Sequence, residues 1–371
     1  MFNLDLPYSV LAHNFNAAFH WGLLFIIGIA FFYFLHKEEY ASINRKRTIT
    51  QVILSFLLIV PIVLLFAYYP IEWGTYADRE GYLYIFNHLE DSTINDYGWF
   101  IIYSIIKFFS SEQVIFFGVL TTLYVGLRYI ACIHFSKENN FLLFLLMLSS
   151  FLFFAYGHNT IRSGVASSFL ILAFSLFFKK RIGFMIAFIL MFMSAGVHKS
   201  MIIPIVAFFI SLFYRNTKVL IGLWVVSFFA SFFLGNYLSE FFGDLVTENA
   251  GEQAGDYITN TENSRYDTGF RLDFIIYSLA PIVIGYYYIL IKGFNDKLYL
   301  TLYGTYIIAN SFFVLVIRAS FIDRFGYLSW MLMPILLIYP LLKQKMFERQ
   351  NIVIAFTLIL NELFTFIMYL R

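Results

Sequence analysis

Charge is what this sequence is shortest of. Asp, Glu, Lys and Arg make up 13% of its 371 residues, against 60% hydrophobic. So little polar surface cannot cover a water-facing exterior, which excludes a soluble globule and leaves a polytopic membrane protein. The charges nearly balance, at a formal +2, so neither nucleic acid nor an acidic partner is expected. Cysteine occurs once, at Cys132 inside an apolar run, which excludes an intramolecular disulfide and reads as a buried thiol. Residues 1–16 contain Asp5 but no Lys or Arg, so a cleavable signal peptide with a basic leading segment is not expected. No His, Cys, Asp or Glu cluster has local metal-ligand spacing, and no metal site is expected. Without repeats, long linkers or a soluble segment, residues 1–371 read as one integral membrane domain.

What is present is a series of apolar runs. Segments of about 15 to 20 apolar residues, the length that crosses hydrocarbon as a helix, fall at 17–35, 50–69, 113–134, 139–156, 161–178, 182–196, 200–214, 219–237, 272–291, 298–317, 325–342 and 351–370. The expectation is an all-α protein of about twelve transmembrane helices. The apolar segment 99–110 is only about 18 Å long as a helix and is too short to cross. Loop charge tests that choice. With the N-terminus outside and 99–110 not crossing, fifteen Lys and Arg fall in cytoplasmic loops and eight fall outside, as the positive-inside rule requires. Both termini are then external, and so are the two long polar stretches. The first, 70–112, ends in a helix suited to lying along the membrane surface. The second, 238–271, is rich in acidic residues, Gly, Asn and Thr and reads as a mobile loop or lid.

The informative residues are charges placed where hydrocarbon disfavours them, a cost of at least about 2.5 kcal/mol each. They are Asp78-Arg79-Glu80, Asp96, His158 with Arg162, His198-Lys199, and Arg318 with Asp323-Arg324, all at the external face. Arg162, Lys199, Arg318 and Arg324 stand at external helix ends, where basic residues are usually scarce. The helix beginning near residue 161 adds its positive N-terminal dipole beside Arg162. Snorkelling to headgroups explains one such cation readily; four together favour a bound anion. At this depth the natural anion is a lipid-linked phosphate or pyrophosphate, which arginine's planar fork binds bidentately. His158 and His198 are candidates for proton transfer. Asp78-Arg79-Glu80 has the acidic-x-acidic form of a general base, or of a Mg²⁺ or Mn²⁺ site.

The order "GTYADREGYLYIF" (Gly74, Asp78, Tyr82, Phe86), "DYGWFIIYSIIKFF" (Asp96, Gly98), "IRSGVA" (Arg162 to Ala166), "VHKSMIIP" (His198 to Pro204) and "DRFGYL" (Arg324, Tyr327) resembles the EpsG family of bacterial exopolysaccharide membrane proteins, which are Wzy-like polysaccharide polymerases. The resemblance runs over roughly residues 20 to 345 and rests on order rather than on any single element. Asp96-Tyr97-Gly98 stands where the family commonly has Glu-Pro-Gly, and Arg162-Ser163 where it often has Arg-Gln. The resemblance implies a GT-C-like architecture and a reaction at the outer face of the bacterial cytoplasmic membrane. In that reaction a sugar hydroxyl of one lipid-linked repeat unit attacks the anomeric carbon of another, and polyprenyl pyrophosphate leaves. A base and cations are then required. Asp78 or His198 is cast as base and Asp96 as orienting the acceptor. Arg162, Arg318 and Arg324 are cast as pyrophosphate clamps and Lys199 as an auxiliary charge, with Arg79, Tyr82, His158 and Tyr327 as further substrate contacts. Loop 238–271 is cast as holding the growing glycan.

No cofactor is expected, since arginines can supply the positive charge a metal would. The implied partners are the polyprenyl-pyrophosphate-linked glycan, the bilayer, and assembly proteins such as a chain-length regulator. A flippase for the same lipid would show two similar halves and broken helices near the midplane, whereas here the charges collect at one face. A membrane O-acyltransferase would carry catalytic residues toward the cytoplasm, and an inactive scaffold would tolerate loss of Arg162.

Overall fold

The computed structural model describes residues 7–36, 49–74, 78–89, 96–250, 269–319 and 322–370. Every regular element among them is a helix, as hydrocarbon demands of a backbone that must satisfy its own N–H and C=O groups. The chain divides into two compact units, Met1–Met201 with Leu341–Arg371, and Ile202–Pro340.

The first unit contains α1 (Tyr8–His36), α2 (Ile49–Ala67), α3 (Asp78–Asn87), α4 (Tyr97–Phe109), α5 (Gln113–Phe135), α6 (Asn140–Leu148), α7 (Phe151–His158), α8 (Ile161–Phe177) and α9 (Arg181–Val197), closed by a 3₁₀ turn, Lys199–Met201. The second contains α10 (Ile202–Phe213), α11 (Thr217–Ala250), α12 (Leu272–Tyr286) with a π turn at Tyr287–Ile291, α13 (Lys297–Leu315), α14 (Ile322–Trp330) and α15 (Met333–Lys343). α16 (Gln350–Leu370) belongs again to the first unit and packs along α1.

At the centre of the first unit is α8, buried on every side from Gly164 to Phe177 between α5 and α9. Its small residues explain the close approach. A Cβ on Gly164 would come within 2.7 Å of the Tyr156 carbonyl, and the Ser194 hydroxyl of α9 donates to the Ala166 carbonyl at 2.7 Å. Into this core α5 sends Arg128, 1% exposed. Its Nε donates to Ser168 Oγ at 3.1 Å and its Nη2 to Ser167 Oγ at 2.8 Å, while the guanidinium lies over the rings of Tyr124 and Tyr156. Arg128 thus ties α5 to the N-terminal half of α8.

In the second unit α13 is the central helix, against α10, α11 and α14. Asn310 organises its polar core. It accepts from Trp224 Nε1 at 2.7 Å and donates to the Ser278 and Ser329 hydroxyls at 3.0 and 2.9 Å. Trp330 Nε1 also donates to the Ser278 hydroxyl, at 2.7 Å.

The helix boundaries correct several expectations. Among the described residues eight helices are long and apolar enough to cross a membrane, or nine if the bent pair α6–α7 is one span, where twelve were expected. The segments 161–178, 182–196 and 200–214 form helices shorter than a full crossing. Hydropathy cannot distinguish a lipid-facing helix from one such as α8, apolar because protein surrounds it. The segment 139–156 is two half-helices meeting at 72°. Part of the expected loop 238–271 is helical, since α11 runs unbroken to Ala250; residues 251–268 lie outside the described residues. The first polar stretch holds two helices. α4 matches the expected short helix, burying Trp99, Tyr103 and Ile106 and exposing Phe100, Ile101, Ile105, Phe108 and Phe109, and α3 begins at Asp78, where a loop was expected.

α4 is fixed by a backbone contact. A Cβ on Gly98 would come within 2.6 Å of the Gly196 carbonyl carbon and 2.8 Å of Val197 N, so only glycine lets α4 rest on the end of α9.

Two expectations follow. Replacing Asn310 by Leu leaves the Trp224 and Ser278 groups without their partner and should lower the stability of the detergent-solubilised protein by about 1 to 3 kcal/mol, read as a fall in unfolding temperature. Gly98→Val should destabilise at least as much, whereas valine at the open Gly126 of α5 should cost well under half of that in the same melt.

Candidate functional site

The site grows from the Gly98 contact. Seating α4 on α9 brings Asp96, which precedes α4, to Arg162 in the first turn of α8. Arg162 Nη1 donates to Asp96 Oδ2 at 2.9 Å. The carboxylate is 9% exposed and the guanidinium 35%, so the pair is open to the protein surface on the arginine side. Solvent screening there holds its own contribution to stability to about 1 kcal/mol or less. Arg162 Nε is buried and makes no hydrogen bond among the described residues. A guanidinium has five N–H donors, and one carboxylate oxygen leaves capacity for another anion.

Aromatic rings form one wall. Tyr103 of α4 donates from its hydroxyl to the Tyr82 carbonyl of α3 at 3.2 Å, and Trp99 packs between the Tyr82 and Tyr103 rings. Burial, with Tyr82 adding to it, pushes the Tyr103 phenol well above its ordinary value, so it stays a neutral donor. On the other side of the glycine contact the chain turns through His198-Lys199-Ser200. The His198 N–H closes α9 on the Ser194 carbonyl, and the His198 carbonyl accepts from Met201 N at 3.0 Å. Asp96, Arg162, Tyr82 and the His198-Lys199 turn are therefore assembled around one contact between two glycines.

Other expected site residues form a second group where the N-terminal part of α1 meets the C-terminal ends of α2 and α7. Arg79 is buried. Its Nη2 donates to the Phe66 and Ala67 carbonyls at 2.8 and 3.3 Å, capping α2, and its guanidinium lies 3.6 Å from the Phe117 ring centroid. Burial draws it below the ordinary arginine value, to about 9. His158 donates from Nδ1 to the Phe154 carbonyl at 2.8 Å and packs against the Tyr69 ring; Tyr69 in turn donates to Asn16 Oδ1 at 2.9 Å. These contacts give Arg79 and His158 clear structural work. Asp78 opens α3. Glu80 Oε1 accepts from the Gly74 N–H at 2.9 Å, holding a turn in which Gly74 has a φ of +80°. Among the described residues no three His, Cys, Asp or Glu side chains converge as a metal site would require.

Arg318, Arg324 and Tyr327 belong to the second unit. Arg318 lies directly on Gly235 of α11, where any Cβ would collide with its Nε. Arg324 sits in the first turn of α14, and Tyr327 is buried against Trp330.

Sequence reading passed over several contributors. Gly196 and Trp99 carry no charge to draw attention, and Tyr103 passed for one more apolar position of α4. A slot of about 230 Å³ between α1 and α2 was also not foreseen. It is lined only by apolar side chains, among them Phe19, Leu23, Ile26, Leu58, Pro61 and Leu65. The small side chains of Ala18 and Gly22 are the one signal that could have marked it.

The model of the EpsG family matches residues 55–371. No curated protein and no solved structure matches the chain. A match over most of the chain, on a multi-helix membrane scaffold, takes in every element of the Asp96–Arg162 site, and the protein belongs to the EpsG family, the Wzy-like polymerase family.

Proposed function

We propose that the protein is a glycosyltransferase of GT-C type that joins polyprenyl-pyrophosphate-linked oligosaccharide repeat units at the outer face of the bacterial cytoplasmic membrane. The observation that carries this reading is the Asp96–Arg162 pair, an acid and a cation 2.9 Å apart, beside aromatic rings and a histidine-lysine turn. In the reaction the acceptor hydroxyl oxygen forms a bond to the anomeric carbon of the donor while the bond from that carbon to pyrophosphate breaks. The hydroxyl proton passes to a base, and the negative charge on the leaving group falls to cations.

The pair suggests how these roles are coupled. A pyrophosphate offers Arg162 more charge and more acceptor oxygens than one carboxylate does. Its arrival draws the guanidinium from Asp96 and leaves that carboxylate to orient or deprotonate the acceptor, with Asp78 and His198 as the other candidate bases. Lys199 adds charge at the same turn; Arg318 and Arg324, carried by the second unit, are separate candidate phosphate ligands. The apolar slot between α1 and α2 has the chemistry to take a stretch of isoprenoid tail.

One observation favours a second reading, transport of the same lipid-linked glycan. The break between α6 and α7 falls in the middle of a span, as in transporters.

The deciding experiment supplies a defined polyprenyl-pyrophosphate repeat unit to liposomes containing the purified protein. A ladder of longer glycans is expected, reduced at least about 100-fold in Arg162→Ala, the scale of losing one positioned charge at a reacting centre, and partly kept in Arg162→Lys. Chelation by EDTA should leave the ladder intact if arginines alone carry the charge. Asp96→Asn keeps the shape and removes the charge; it should lower kcat more than it raises KM. Labelled glycan reaching the opposite leaflet without any ladder would replace the polymerase with the transporter.

A further inference from the structure

The first unit also holds a buried carboxyl group with no hydrogen-bond partner among the described residues, far from the Asp96–Arg162 pair in sequence and unused by the mechanism above. Glu362 lies near the middle of α16, on the stripe Ile354, Ala355, Leu358, Asn361, Thr365 and Phe366 that faces the protein interior. It is 0% exposed, and neither carboxylate oxygen has a hydrogen-bond partner among the described residues. The α1–α16 contacts Trp21–Phe366 and Phe31–Phe356 run antiparallel and set Glu362 across from the apolar stretch Leu23 to Ile27. No Lys or Arg occurs on α1, α6, α7 or α16. The titratable side chains on the helices packed against α16 are Tyr8, His13, His20, Tyr33 and His36 of α1 and Tyr156 and His158 of α7, and α6 has none. Of these, His20 stacks on Tyr369 of α16, two turns from Glu362, at 4.4 Å.

The residues flanking Glu362 reach the α6–α7 break. Asn361 Nδ2 donates to the Ser149 carbonyl and hydroxyl, each at 2.9 Å, and Thr365 Oγ1 donates to the same carbonyl at 2.8 Å. Ser149 is the tenth residue of the 19-residue pair Asn140–His158, so this cluster also sits at mid-span. Here the C-terminal end of a half-helix, with its negative dipole, is met by Asn361 and Thr365, between which α16 carries a buried carboxylate with no hydrogen-bond partner among the described residues; the Ser149 hydroxyl itself donates to the Leu146 carbonyl at 3.1 Å. Elsewhere, oxygen groups of this kind at a broken helix hold small cations. An isolated carboxylate in a dry interior costs several kcal/mol, and a cation bound with it removes that cost.

We propose that Glu362, with the Ser149 and Thr365 oxygens at the α6–α7 break, binds a monovalent cation, Na⁺ or H⁺, in the middle of the membrane. The site is independent of both the polymerase and the transporter readings. The test uses the full chain in detergent micelles and dicyclohexylcarbodiimide, an apolar reagent that adds to protonated carboxyls, with the modified residue located by peptide mass spectrometry. Glu362 should be labelled well above the other acids. If Na⁺ is the ligand, NaCl at equal ionic strength to choline chloride should suppress the label by about tenfold or more and raise the unfolding temperature, as a ligand of the folded state must. If H⁺ is the ligand, Na⁺ should have no effect and labelling should fall steeply as pH rises between about 5 and 9. Glu362→Gln serves as the unlabelled control, and because the decisive label is read on the unmutated chain, a folding defect in the variant leaves the test intact. Absence of label at Glu362 with no Na⁺-dependent stabilisation, or labelling indifferent to both Na⁺ and pH, would overturn the proposal.

Discussion

Hydrocarbon offers no hydrogen bonds, and the rest of this structure is organised by that one fact. Each polar group inside must find its partner in the protein. The solutions differ by unit. In the second, Asn310 gathers two indole N–H groups and two serines into a satisfied network on the central helix. In the first, Arg128 is satisfied by neutral groups alone, two serine hydroxyls and two tyrosine faces. At Ser149 a broken backbone is repaired by side chains of α16. Among the buried groups these repairs leave without a hydrogen-bond partner are Arg162 Nε and both oxygens of Glu362, and charged groups of that kind are where ligands are to be sought.

The same constraint explains how much was legible beforehand. Long runs flanked by charge, such as 17–35, 113–134 and 351–370, read correctly as α1, α5 and α16, because a lipid-facing helix must be apolar over a full crossing. The short helix ending at Phe109 was legible from its length. The break at Ser149–Ser150 was not, since two serines inside an apolar run barely alter its mean hydropathy. Neither was the extension of α11 to Ala250, where polar composition resembles a loop although the backbone stays helical. The rest of the expected loop 238–271 lies largely in 251–268, outside the described residues.

For the site, charge in the sequence drew attention to single residues and was a poor guide to their pairing. Arg162 and Asp96 were both singled out for sitting at the outer face, but nothing in a sequence separation of 66 residues joins them. Their meeting is decided by Gly98 and Gly196, two residues with no side chain to attract notice. Arg79 shows the converse. It was conspicuous as a charge between two acids, and the fold uses it largely to cap a helix and stack on a phenylalanine. Glu362 was hidden for a different reason: one acid in a largely apolar run of about twenty residues is diluted by any averaging window.

The division of the chain into units also bears on how the protein is made. The unit Ile202–Pro340 interrupts the other in sequence, and α16 is added to the first unit only afterwards. During synthesis α1 can pack early on α2 and α7, through Phe19 against Phe66 and Phe154, but its contact with α16 must wait until every other described helix has emerged. The face that waits includes His20, and the helix that covers it brings Glu362. Closure of this seam marks the chain's passage from nascent to mature, for it is the step that withdraws both polar residues from their surroundings.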